Sequence, residues 1–140
     1  MTPHRQPAPS GVVTSGVVEL GAAALSGWVY SLAKYQPDQA RALGIKSPAR
    51  IRQWHLDLAA LGTATVALGL AVPDAPKTVR RALVVGAWSN AMMFLPLAFR
   101  PEVLEHPTYR KAGIASFVAT SVGFCGMSVS AVRGLRAARR

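Results

Sequence analysis

The stretch ALVVGAWSNAMMFLPLAF, residues 82–99, runs without a charge between Arg81 and Arg100, and its reading decides the fold. At about 1.5 Å of rise per residue, a helix of this length nearly crosses the roughly 30 Å hydrocarbon layer of a bilayer. Its first half, Leu83-Val84-Val85-Gly86-Ala87-Trp88, is apolar on every face, whereas a helix of a soluble bundle keeps a polar stripe. Yet the same stretch places Trp88, Ser89 and Asn90 side by side, three hydrogen-bonding side chains in the apolar run.

Three more charge-poor stretches follow the same rule, at 11–33, 56–72 and 112–132. A chain of 140 residues allows one compact domain, and this one is 51% hydrophobic with a mean hydropathy of +0.26. These features predict an all-α integral membrane four-helix bundle over residues 11–133, with helices at about 11–33, 54–72, 79–99 and 112–132. Residues 1–10, with Pro3, Pro7 and Pro9, are expected as a disordered lead, and residues 134–140 as a basic tail. The second and third stretches are short enough to keep a soluble bundle as the alternative. A signal peptide fits the first stretch less well, because it carries Glu19 and continues through Trp28 and Tyr30. Between the first two spans, Ala40, Leu43 and Ile45 interleave with Arg41 and Lys46, which suggests a short interfacial helix.

The net charge of +10 would raise nucleic acid as a partner in a soluble protein. Here the cations gather at the ends of the spans, where they meet lipid headgroups: Lys34 and Arg41 to Arg52, then Lys77 to Arg81, then Arg100 to Lys111. Membrane lipid is therefore the expected partner, and nucleic acid is not. Four spans place both termini on one side. Lys and Arg divide evenly between the two sides, and the dense tail Arg133, Arg136, Arg139, Arg140 favours cytoplasmic termini of a multi-pass inner-membrane protein. Cys125 lies inside the fourth span and reads as a small packing residue.

Ionisable and amide groups at membrane depth are expensive and raise a functional hypothesis by default. Four stand out: Glu19, His55, Asp57 and Asn90. Ser15, Gly16, Glu19, Ala22, Ala23 and Ser26 share one small, polar face of the first helix, either to pack another helix around a buried carboxyl group or to build a site at Glu19. His55 stands above Ala59, Gly62 and Val66, a ladder of mostly small residues expected to leave a slot for a flat ring, with the imidazole available to iron or bonded to interfacial water. Asp57 can pair with Arg52 or accept from Gln53, while His4 and His106 sit in polar flanks.

Lys77-Thr78-Val79-Arg80 leading into Gly86-Ala87-Trp88-Ser89-Asn90, with His55 and Gly62 upstream and Ala115-Ser116-Phe117 downstream, resembles the styrene oxide isomerase family. That resemblance extends over all four spans and is strongest from His55 to Phe94. It implies a homotrimer of four-helix protomers that holds ferric haem b between subunits. His55 would be the axial ligand, with Gly62 and Trp88 beside the cofactor and Asn90 as a hydrogen-bond partner in the pocket. It further implies an isomerase that takes a small apolar epoxide, supplied by a monooxygenase partner, through Lewis-acid ring opening and a 1,2-hydride shift to a carbonyl compound.

Three pocket positions depart from the family pattern. Leu61 stands where a carboxamide is expected, Gly86 where a carboxylate is expected, and Phe94 where a tyrosine is expected. Gly86 and Phe94 would enlarge or grease the pocket for a bulkier ligand, and Glu19 could supply the missing carboxyl group as a second catalytic residue. Haem binding without isomerase chemistry, serving electron transfer or sensing, and a cofactor-free accessory subunit remain the alternatives.

Overall fold

The computed structural model describes residues 8–140. His4 and most of the proline-bearing lead lie outside the described residues. The chain forms α1 (Gly11–Tyr35), α2 (Pro37–Ala42), α3 (Pro48–Ala71), α4 (Lys77–Met92), α5 (Phe94–Phe99), a 3-10 turn at Pro101–Glu105, and α6 (Pro107–Ala138). The all-α expectation holds: among the described residues there is no strand. Four helical segments are long and apolar enough to cross a membrane: Gly11–Tyr35, Pro48–Ala71, Lys77–Phe99 and Pro107–Ala138.

The helix ends follow local chemistry. Ser10 caps α1 by accepting from the Val13 amide at 3.4 Å, and His106 caps α6 by accepting from the Thr108 amide at 3.3 Å. Prolines 48 and 107 open α3 and α6 at the first helical position, where a missing N–H costs nothing. For this reason both helices start earlier than the apolar stretches alone suggest. The expected tail is helical as well, since Leu135, Arg136, Ala137 and Ala138 are good helix formers and nothing after Val132 breaks the turn. The interfacial helix is only Pro37–Ala42. Gly44, at φ +88°, closes it, with Ile45 N–H reaching the Ala40 carbonyl at 3.0 Å and Gly44 N–H reaching Arg41 at 2.9 Å.

The third span is perturbed rather than broken: Pro96 lacks the N–H that would reach the Met92 carbonyl, while Met93, between α4 and α5, keeps helical dihedrals and bonds the Ser89 carbonyl at 3.1 Å. The Tyr109 hydroxyl, arriving from α6, donates to the Met93 carbonyl.

Two helix pairs, α1 with α3 and α4 with α6, make up most of the packing, and α3 also meets α4 and α5. The interior is unlike that of a soluble bundle. Many large apolar residues point outward, with Trp28 77% and Leu25 72% exposed, while the interior holds Ile51, Leu58, Leu83 and Met127 together with alanines and the polar Glu19, Ser26 and Thr65. Apolar residues on both sides suit lipid outside and close helix contact inside. Cys125, expected to pack, instead faces outward on α6.

The pairs touch backbone to backbone. A Cβ on Gly86 would lie 2.5 Å from Thr120 Cα, and one on Gly16 would lie 2.8 Å from the Gly62 carbonyl oxygen. Gly123 is pressed equally hard against the Leu83 backbone. No rotamer relieves a clash with backbone. Gly86→Leu or Gly123→Leu should therefore lower the unfolding free energy in detergent by about 3 kcal/mol or more, read as an earlier midpoint in a dodecyl sulfate titration followed by circular dichroism. Gly11→Leu, where a Cβ meets nothing within 4 Å, should leave that midpoint unchanged.

Candidate functional site

The α1–α3 register brings His55 to the carbonyl end of a turn of α1. Its Nδ1 lies 3.1 Å from the Ala23 carbonyl oxygen and 3.0 Å from Ser26 Oγ, and the Ser26 hydroxyl itself donates to the same carbonyl at 2.7 Å. A bare nitrogen lone pair facing that carbonyl would be repelled, so Nδ1 carries the proton and donates it. The lone pair is left on Nε2, which makes no hydrogen bond among the described residues. The ring is half-buried and stacked on Tyr30, with centroids 5.7 Å apart and planes at 14°. Gly27 leaves the ring edge open, since a Cβ there would come within 3.4 Å of His55 Cε1.

A backbone carbonyl holding one ring nitrogen is the usual means of fixing a histidine to present the other to a metal. Among the described residues no group of three or more His, Cys, Asp or Glu stands together to hold a bare ion. A lone imidazole serves as an axial ligand where a macrocycle supplies the other donors.

The Trp88-Ser89-Asn90 triplet divides its side chains among three neighbours. Trp88 Nε1 donates to Ser15 Oγ of α1 at 3.0 Å. Ser89 Oγ meets Ser116 Oγ of α6 at 2.8 Å and its own helix at the Gly86 carbonyl, 3.3 Å away. Asn90 turns to a third place, an open groove of about 670 Å³ bounded by α4, α5 and α6. Apolar walls from Phe94, Leu97, Ile114 and Phe117 line the groove, with Arg50, Tyr109 and Arg110 toward one end. The Arg50 guanidinium lies over the Phe94 ring, 5.8 Å from its centroid.

The expected site residues are thus not in one place in the chain. His55, Glu19, Gly62 and Trp88 do not line the groove that holds Asn90. The slot expected at Gly62 does not exist, because α1 fills it: a Cβ on Gly62 would lie 3.1 Å from both the Gly16 carbonyl oxygen and the Leu20 amide nitrogen. Gly62 packs helices. Gly86 does not enlarge the groove either, being sealed against the Thr120 backbone, and a carboxylate at that position would have no room. Phe94 does grease the groove, whereas Leu61 packs with Ala23, Leu58 and Ala91. Asp57 accepts from Gln53 Nε2 at 2.8 Å, the simpler of its two expected roles.

Sequence reading missed Arg50, Tyr109 and Arg110 as companions of Asn90. Pro48 was the available signal: taken as the first residue of a helix, it carries Arg50 into the bundle instead of leaving it in a loop.

Glu19 is fully buried, and neither carboxyl oxygen finds a hydrogen-bond partner among the described residues; Thr65 Oγ1 is in the same state. Leaving a buried polar group unpaired costs about 1–3 kcal/mol. Glu19→Leu should therefore raise the unfolding free energy in detergent by about 1 kcal/mol or more, measured by dodecyl sulfate titration; a fall would mean that the carboxyl group has a partner. No family model, curated protein or solved structure matches this chain.

Proposed function

We propose that this chain is a haem-dependent membrane isomerase that converts an apolar epoxide into a carbonyl compound, the activity implied by its resemblance to the styrene oxide isomerases. The observation that carries the proposal is the position of His55 Nδ1, 3.1 Å from the Ala23 carbonyl oxygen, a contact that favours the proton on Nδ1 and a free lone pair on Nε2. Ferric haem b bound through that nitrogen would supply a Lewis-acidic iron for the epoxide oxygen.

The chain's own residues do the rest. The Ala23 carbonyl and Ser26 hold the imidazole orientation, and Tyr30 braces the ring face. The mostly apolar walls of the groove offer few groups to hold water beside an opened epoxide, which would favour rearrangement over hydrolysis to a diol. The Asn90 amide offers donors to an oxygen atom inside an otherwise greasy groove. Because His55 does not line that groove, the two residues meet one substrate only across a contact between copies of the chain. A homotrimer, as the resemblance implies, provides such a contact. Glu19, sealed between helices, takes no role in the reaction. We place the protein in the inner membrane with cytoplasmic termini, fed by an epoxide-forming monooxygenase.

Haem binding without isomerase chemistry is the second reading, favoured by Leu61, Gly86 and Phe94. None offers a polar side chain, and Gly86 has no space for one.

Protein purified from haem-replete cells should show a Soret band and convert a deuterium-labelled aryl epoxide to an aldehyde that retains the label. His55→Ala should lose the band and at least about a hundredfold of turnover. A colourless native protein overturns the proposal, and a coloured protein that forms no aldehyde selects the second reading.

A further inference from the structure

The start of α4 changes character along its axis rather than across it. Lys77, Arg80, Arg81, Val84 and Val85 stand at i, i+3, i+4, i+7 and i+8, so they share one face on which three cations are followed by two valines. That face borders a crevice of about 290 Å³ whose other wall is the start of α1, at Gly11 and Val12. A Cβ on Gly11 would meet nothing within 4 Å, so the crevice is open there. Two membrane-length segments, Gly11–Tyr35 and Lys77–Phe99, begin at this place. From Lys77 to Val85 the helix rises about 12 Å, more than one headgroup layer of about 5–8 Å, so a single face passes from phosphate level into the acyl chains.

The cations here lack the partners that others in the chain have. At the opposite end of the bundle Arg41 pairs with Asp38, and Lys46 with Glu102 at 3.8 Å. Lys77, Arg80 and Arg81 form no ion pair among the described residues, and no carboxylate lines their crevice; Asp74, in the preceding turn, is not one of its residues. Arg80 donates one N–H to the Pro73 carbonyl at 3.5 Å, which leaves its remaining donors free. Like charges at three- and four-residue spacing repel along a helix, so an anion held among them stabilises the turn.

The chemistry of the face selects its ligand. A free phosphate would meet the cations and leave the valines unused, and a zwitterionic lipid would cover the valines but bring an ammonium group toward three cations. An anionic glycerophospholipid satisfies both parts. Arginine forks take phosphate oxygens in two-point fashion, and lysine adds a point charge.

We propose that this crevice binds one anionic glycerophospholipid, with its phosphate held by Lys77, Arg80 and Arg81 and an acyl chain laid along Val84 and Val85. The site shares no residue with the Asn90 groove and does not depend on the haem reading.

Full-length protein, delipidated in dodecyl maltoside, is titrated with dioleoylphosphatidylglycerol and with dioleoylphosphatidylcholine, and bound lipids are counted by native mass spectrometry. The first phosphatidylglycerol should bind about tenfold more tightly than the first phosphatidylcholine, given three partly exposed charge contacts. Arg80→Gln with Arg81→Gln should bring the two affinities together, and Arg80→Lys with Arg81→Lys should keep most of the preference, with helix content unchanged by circular dichroism. Arg139→Gln with Arg140→Gln removes the same charge from the same end of the bundle but outside the crevice, and should leave the preference intact. Equal affinity of native protein for the two lipids overturns the proposal. So does a preference that survives the Arg80 and Arg81 changes, or one that falls as far with the Arg139 and Arg140 changes, since the lipid would then be answering surface charge alone. Inorganic phosphate at the same concentration should not displace the phosphatidylglycerol; displacement would overturn the proposal by showing that the acyl chain adds nothing.

Discussion

Helices in lipid gain nothing from exchanging lipid tails for leucine, so this bundle depends on the places where one backbone can lie directly on another. Gly16 and Gly62 provide that contact between α1 and α3, and Gly86 and Gly123 provide it between α4 and α6. At such points dispersion contacts are dense and no side chain needs ordering. The contacts also act as a vernier: a shift of one turn would drive a Cβ into a carbonyl, so each pair has one permitted register.

Everything chemical in the molecule follows from those two registers. On one side, seating Gly16 against the Gly62–Val66 turn brings the Ala23 carbonyl and Ser26 opposite His55, about two helical turns further along. On the other, Gly86 against Thr120 aligns Ser89 with Ser116, and the Thr120 hydroxyl reaches the Gly86 carbonyl at 3.1 Å. Asn90 is the member of the triplet left over by this alignment. Phe94 and Leu97 of α5 wall the groove in front of it. Imidazole and carboxamide are placed by separate helix pairs, and His55 does not line the groove that holds Asn90.

Much of this was legible in the sequence, and the failures have a common cause. Hydropathy located all four spans because apolar length is a property of each segment alone. The small-residue face on α1 was legible for the same reason: three- and four-residue spacing fixes a face whatever it meets. The opposing side of a contact cannot be read in that way. His55, Ala59 and Gly62 form a ladder whether or not another helix occupies the space before it, and α1 does. Gly86 is similar, since a missing side chain can mean an open pocket or a pressed backbone. Arg50 and Arg110, sixty residues apart in sequence, line the same groove only in the folded chain, which no local pattern encodes.

The helical continuation of α6 carries a consequence of its own. Because the helix persists to Ala138, Arg133 and Arg136 lie on one side of a firm rod rather than on a loose strand. Like charges at that spacing repel and loosen the turn between them. Anionic headgroups would relieve the repulsion, so the final turns should tighten on an acidic leaflet and fray on a neutral one, making the end of this helix a gauge of the surface charge beneath it.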